Sequence, residues 1–166
     1  ADFTADLSFQ IAGITEAQAF RWQLSDGTST VIDLRTGASG ALQANLSGEW
    51  VTLQRLTDNA GFNVTPSQTV RLRVTGRNFG TPAASYDVVW SDPGSTALVH
   101  AATQVTKFAS SGVPASPPAV IRFVRDVVAA NSFHVDDVTL LASAAAAPTA
   151  AWTPDPAPVA AGRSQC

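Results

Sequence analysis

Along most of the chain, apolar residues fall on every second position. Phe3, Ala5, Leu7, Phe9 and Ile11 alternate with Thr4, Asp6, Ser8 and Gln10. In a strand, successive side chains point to opposite faces, so this pattern predicts a half-buried strand with one core face. The same period returns at Phe20, Trp22 and Leu24, at Ile32 and Leu34, and at Leu42, Ala44 and Leu46. Val51 and Leu53 follow, then Val70, Leu72 and Val74, then Tyr86, Val88 and Trp90. Ile121 with Phe123, and Phe133, Val135 and Val138 to Leu141, complete the series.

Turn-forming residues separate these runs. Ser25-Asp26-Gly27 suits a tight hairpin, because Asp and Gly tolerate positive φ. Thr36 to Gly40, Asn78 to Pro82 and Ser91 to Gly94 act likewise. Short strands at such spacing predict an all-β fold, an antiparallel β-sandwich. The one segment with a helical look, Ile14 to Phe20, is too short to change this. Residues 96–118 carry only short apolar pieces and end in a Ser/Pro/Gly-rich stretch, which reads as a long loop. From 143 to 166 the chain is dominated by alanine and proline, with only Asp155 and Arg163 charged. We therefore divide it into a sandwich domain, 1–142, and an Ala/Pro-rich linker or tail, 143–166.

Composition narrows the function classes. The 166 residues carry 10 Lys+Arg against 13 Asp+Glu, a net charge of -3. A nucleic-acid binder would show a basic excess, so no nucleic-acid partner is expected. No run of apolar residues is long enough for a membrane span. The one cysteine, Cys166, lies in the tail and makes no internal disulfide. Lys107 is the sole lysine and methionine is absent, so the first residue is expected to follow signal removal or to begin a fragment. The Ala/Thr/Ser/Val-rich, nearly cysteine-free composition associates with secreted bacterial proteins.

The closing run, Ser132-Phe133-His134-Val135-Asp136-Asp137-Val138-Thr139-Leu140, resembles the last strand of jelly-roll domains in bacterial extracellular proteins. These include carbohydrate-binding modules and laminin-G or concanavalin-like sandwiches. The resemblance implies a jelly-roll sandwich at the cell surface or outside the cell, with a glycan as ligand. It also implies a structural Ca²⁺ held by Asp136 and Asp137, with Asp2 or Asp6 brought alongside if the first and last strands pair. Calcium takes six to eight oxygens, which carboxylates and carbonyls supply.

Glycan binding needs exposed aromatic faces for sugar rings and planar polar groups for hydroxyls. Trp22 shares parity with core residues, as do Tyr86 and Trp90. Trp50 shares parity with Thr52 and Gln54, so it points outward and is the candidate platform. Arg21 with Gln23, Asp33 with Arg35, and Arg71 with Arg73 also take the polar parity. If their strands adjoin, they form a charged face able to pair with acidic sugars. The expected ligand set is therefore Trp50, Gln54, Arg21, Gln23, Arg71 and Arg73.

Catalysis finds less support. The only glutamates, Glu16 and Glu49, are far apart and in no paired-carboxylate motif. The expectation is a non-catalytic glycan-binding module of a larger secreted or surface protein. Two alternatives stand beside it. One is a structural or adhesion subunit that self-associates through the tail, with Trp152 as anchor. The other is a polysaccharide lyase or hydrolase on the same fold.

Overall fold

A computed structural model describes residues 1–12, 20–37, 40–110, 112–124 and 133–142. The tail 143–166, with Trp152 and Cys166, lies outside the described residues, as do Glu16 and most of the Ile14 to Phe20 segment.

The described residues form ten strands: β1 Phe3–Ile11, β2 Phe20–Ser25, β3 Thr30–Thr36, β4 Leu42–Leu46, β5 Glu49–Thr52, β6 Val70–Arg77, β7 Ser85–Ser91, β8 Leu98–Val105, β9 Val120–Val124 and β10 Phe133–Ala142. They make two antiparallel five-stranded sheets. One runs β10-β1-β6-β7-β8 and the other β5-β4-β3-β2-β9. Two meanders, β2 to β5 and β6 to β8, are joined by connections that cross between the sheets, and the first and last strands pair. The result is an all-β sandwich compatible with jelly-roll connectivity. Among the described residues, no helix is long and apolar enough to cross a membrane.

Alternation places the core. Phe3, Ala5, Leu7, Phe9 and Ile11 all point inward and are buried. They meet Phe20, Trp22 and Leu24 of the opposite sheet, where the Phe9 and Phe20 rings stack with centroids 5.1 Å apart. Trp22, Tyr86 and Trp90 are fully buried. Truncating an aromatic of this kind to Ala costs about 3–5 kcal/mol, so Trp22→Ala would threaten the whole fold. Gly76 shows how closely the layer packs: a Cβ there would lie 1.9 Å from the Phe3 ring.

Two local features differ from the sequence expectation. Residues 98–105, read as part of a long loop, form β8. Its middle is His100-Ala101-Ala102, where alanine fills the core position, so alternation carries little hydrophobic contrast. The register of β1 with β10 also shifts between Asp6 and Ser8. There Asp137 takes φ 53, a left-handed conformation that Asp adopts more readily than most residues. The Asp136 carboxylate accepts the Asp137 backbone N–H at 2.8 Å. The paired Asp thus forms a β-bulge that shifts the register by one residue while β10 stays paired with β1 on both sides.

Candidate functional site

The outer face of the β5-β4-β3-β2-β9 sheet is assembled by cross-strand pairing. Trp50 stands opposite Asn45, Gln43 opposite both Thr52 and Arg35, Arg35 opposite Arg21, and Asp33 opposite Gln23. Cross-strand partners lie on the same side of a sheet, so all project from one face. Trp50 is half-buried. The Arg35 guanidinium carbon lies 4.0 Å from its ring centroid and that of Arg21 lies 5.4 Å away. Guanidinium groups this near an aromatic ring are attracted to its π face.

The polar side chains around Trp50 are held by one another. Arg21 Nε donates to Asp33 Oδ1 at 2.8 Å, and its Nη2 pairs with Oδ2 in a bidentate fork. Gln23 Nε2 donates to the same carboxylate at 3.4 Å. Arg35 Nε donates to Gln43 Oε1 at 2.9 Å, and Gln43 Nε2 reaches Thr52 Oγ1 at 3.5 Å. Asp33 is only 2% exposed although it sits on an outward position, because Arg21 and Gln23 close over it. The face is an aromatic ring among planar amide and guanidinium groups of restricted freedom.

The remaining predicted residues lie elsewhere. Arg71 and Arg73 are on β6, in the other sheet, so their strand does not adjoin β2 and β3 and the six residues form no single face. Both clasp Asp6 of β1: Arg71 Nη2 lies 2.9 Å and Arg73 Nη2 2.6 Å from Asp6 Oδ2. Burial pushes the Asp6 carboxyl upward, but the hydrogen bonds and charges of Arg71 and Arg73 outweigh it and hold the group below its ordinary value. Gln54 is exposed just beyond β5, bridged through its backbone to Gly61.

The three carboxylates expected around calcium are not brought together. Ser8 pairs with Asp136 and Phe3 with Ala142, so Asp2 lies at one end of the β1–β10 ladder and the Asp136–Asp137 pair at its middle. Ser8 is six positions along the strand from Asp2, roughly 20 Å. Asp2 instead accepts the Asn78 backbone N–H at 2.9 Å, and Asp6 is engaged by two guanidinium groups. This donor set does not fit one calcium cage. Among the described residues, no group of three or more His, Cys, Asp or Glu converges on a common point.

Arg35 and Gln43 were missing from the expected ligand set. Both carry the outward parity, but only strand order places them beside Trp50. Fold and site define a two-sheet β-sandwich with one arginine- and tryptophan-bearing outer face. No protein-family model, curated protein or solved structure gives a significant match to the chain.

Proposed function

We propose that the chain is a non-catalytic, extracellular glycan-binding module whose binding surface is the outer face of the β5-β4-β3-β2-β9 sheet. The observation that carries this reading is the setting of Trp50. It is a half-buried aromatic on an outward strand position, oriented by two guanidinium groups and surrounded by amide and carboxylate arms. A sugar ring presents an apolar C–H face to such an aromatic, while its hydroxyls meet the planar polar groups. The Arg21–Asp33 and Arg35–Gln43 pairs limit the side-chain entropy lost on binding, which favours affinity. Trp50 serves as the platform, Arg35 and Arg21 orient it, and Gln23 and Gln43 supply hydroxyl partners.

Affinity electrophoresis of the full chain through gels containing soluble polysaccharides tests this. Retardation by at least one polysaccharide is expected, with Trp50→Ala weakening it at least about tenfold, or roughly 1.4 kcal/mol. Binding that persists unchanged in Trp50→Ala would remove the platform from this face.

A second reading, self-association as a surface subunit, draws on β10. This strand is a sheet edge on which Leu141 is 69% exposed and Val138 is also open. Light scattering across a concentration series separates the two readings, since a monomer at every concentration leaves only the first.

A further inference from the structure

We infer that the ligand of the Trp50 face is an acidic glycan, a chain of sugar rings bearing carboxylates, which lies across the strands from Trp50 toward Arg122. This rests on the glycan reading above and adds the ligand's charge and course. The evidence is the sign of the face. Among the described residues, its outward positions hold three arginines, Arg21, Arg35 and Arg122, against one carboxylate, Asp33. The chain as a whole carries a net charge of -3. The other outer face is balanced the opposite way, with Arg71, Arg73 and Arg77 standing among Asp6, Asp87, Asp136 and Asp137. A local excess of cations on an acidic protein focuses anions toward that face.

Stability alone does not account for this arrangement. Arg21 and Arg35 are direct cross-strand partners, and like charges in that position repel. Asp33 offsets part of the repulsion, but it is only 2% exposed, whereas the Arg21 side chain above it is 24% exposed. What solvent meets is therefore mainly guanidinium. Arg122 adds a third cation on the edge strand β9. It stands opposite Gln23, is exposed, and enters no ion pair among the described residues. On the other face each arginine closes on a carboxylate of its own sheet; here the outermost one is left open to an incoming anion.

Strand register gives the course. Thr52, Gln43, Arg35, Arg21 and Val124 follow one another across the five strands. Beside that row, Trp50 stands at the β5 end and Arg122 at the β9 end. Strands about 4.8 Å apart put these two roughly 19 Å from each other, the span of an oligosaccharide rather than of a single ring. Trp50 takes the apolar face of one sugar, and Gln43 and Gln23 meet hydroxyls along the way. Arginine matches the two oxygens of a carboxylate with two parallel N–H donors, so an acidic sugar suits the β9 end better than a neutral one.

Isothermal titration calorimetry of the full chain tests the inference. The probes are an oligogalacturonate, a neutral galacto-oligosaccharide of the same length, and polyphosphate as a polyanion without sugar rings. At low salt the oligogalacturonate should bind at least about tenfold more tightly than the neutral probe, and the margin should shrink as salt rises to about 0.15 M. Arg122→Gln, a change at an exposed position, should weaken oligogalacturonate binding about three- to fivefold, the effect of one exposed charge. Trp50→Ala should weaken it at least about tenfold. Binding of a neutral glycan that equals or exceeds that of oligogalacturonate overturns the acidic ligand and leaves the glycan reading standing. So does polyphosphate binding as tight as oligogalacturonate and indifferent to Trp50→Ala, which would make the face a general anion patch. Unchanged oligogalacturonate affinity in Arg122→Gln overturns the course toward β9. Binding of no glycan at all, acidic or neutral, overturns the glycan reading itself and this inference with it.

Discussion

The two outer faces of the sandwich use the same residue types differently. On the β6 side, Arg71 and Arg73 both close on Asp6, and Arg77 pairs with Asp87 at 2.6 Å. There arginine neutralises carboxylates that are nearly shut off from water. On the β3 side, Arg21 pairs with Asp33, yet it and Arg35 also lie against Trp50, and the network ends in amides and hydroxyls. An outward arginine therefore takes its role from the residue one strand over, and strand parity alone does not reveal that residue.

The sharpest way to break this comparison is to remove the two carboxylates in turn. Deleting one partner of a fully buried ion pair costs about 3–5 kcal/mol, but Arg71 and Arg73 are 35% and 38% exposed, so water screens part of that. Asp6→Ala is expected to lower stability by about 2.5 kcal/mol in urea denaturation, because it leaves two guanidinium groups facing each other. Asp33→Ala strands only Arg21 and should cost about 1.5 kcal/mol. The reverse order would show that the β6 face is not the more strongly ion-paired of the two.

Acid titration sharpens the same point. The folded Asp6 carboxyl holds its proton less tightly than the unfolded one. Its contribution is therefore fully present above the unfolded value, near pH 4, and is lost as pH falls through the lower folded value. Melting temperature followed below pH 4 should fall less steeply in Asp6→Ala than in the parent. Equal slopes would mean that Asp6 does not drive the acid loss.

Smaller effects are expected at Trp50. Its replacement by Ala should cost less than about 1 kcal/mol of stability while abolishing most glycan binding, separating a binding face from a structural one. A double-mutant cycle between Arg35 and Trp50 should give a coupling of about 0.5–1 kcal/mol, read from denaturation midpoints. A coupling near zero would mean that Arg35 lies beside the ring without holding it.

Much of this fold can be read from alternation. Trp22 sits inside and Trp50 outside because a strand has period two, and β2 and β6 keep that period in their burial, whereas on β5, β9 and β10 the apolar residues Val51, Phe123 and Leu141 stay exposed. Where alanine takes the core position, as at Ala102, the contrast fades and β8 goes unread. The site is less visible, because its geometry depends on which strands adjoin. Arg21 and Arg71 look alike in sequence, yet they lie in different sheets. Arg35 meets Trp50 only because β3, β4 and β5 lie side by side. The Asp136–Asp137 pair has a backbone role that its spacing does not show: one carboxylate accepts the amide of the other at the bulge.

That bulge has a consequence for behaviour at high concentration. β10 is a sheet edge, and beyond the bulge Val138 to Ala142 carry no charge. A flat edge of that composition is a template for stacking chain on chain. The left-handed kink at Asp137 breaks the straight run of backbone donors and acceptors, and it sets two negative charges beside the break. Residues that look like ligands for a metal thus interrupt the edge along which such stacking would run.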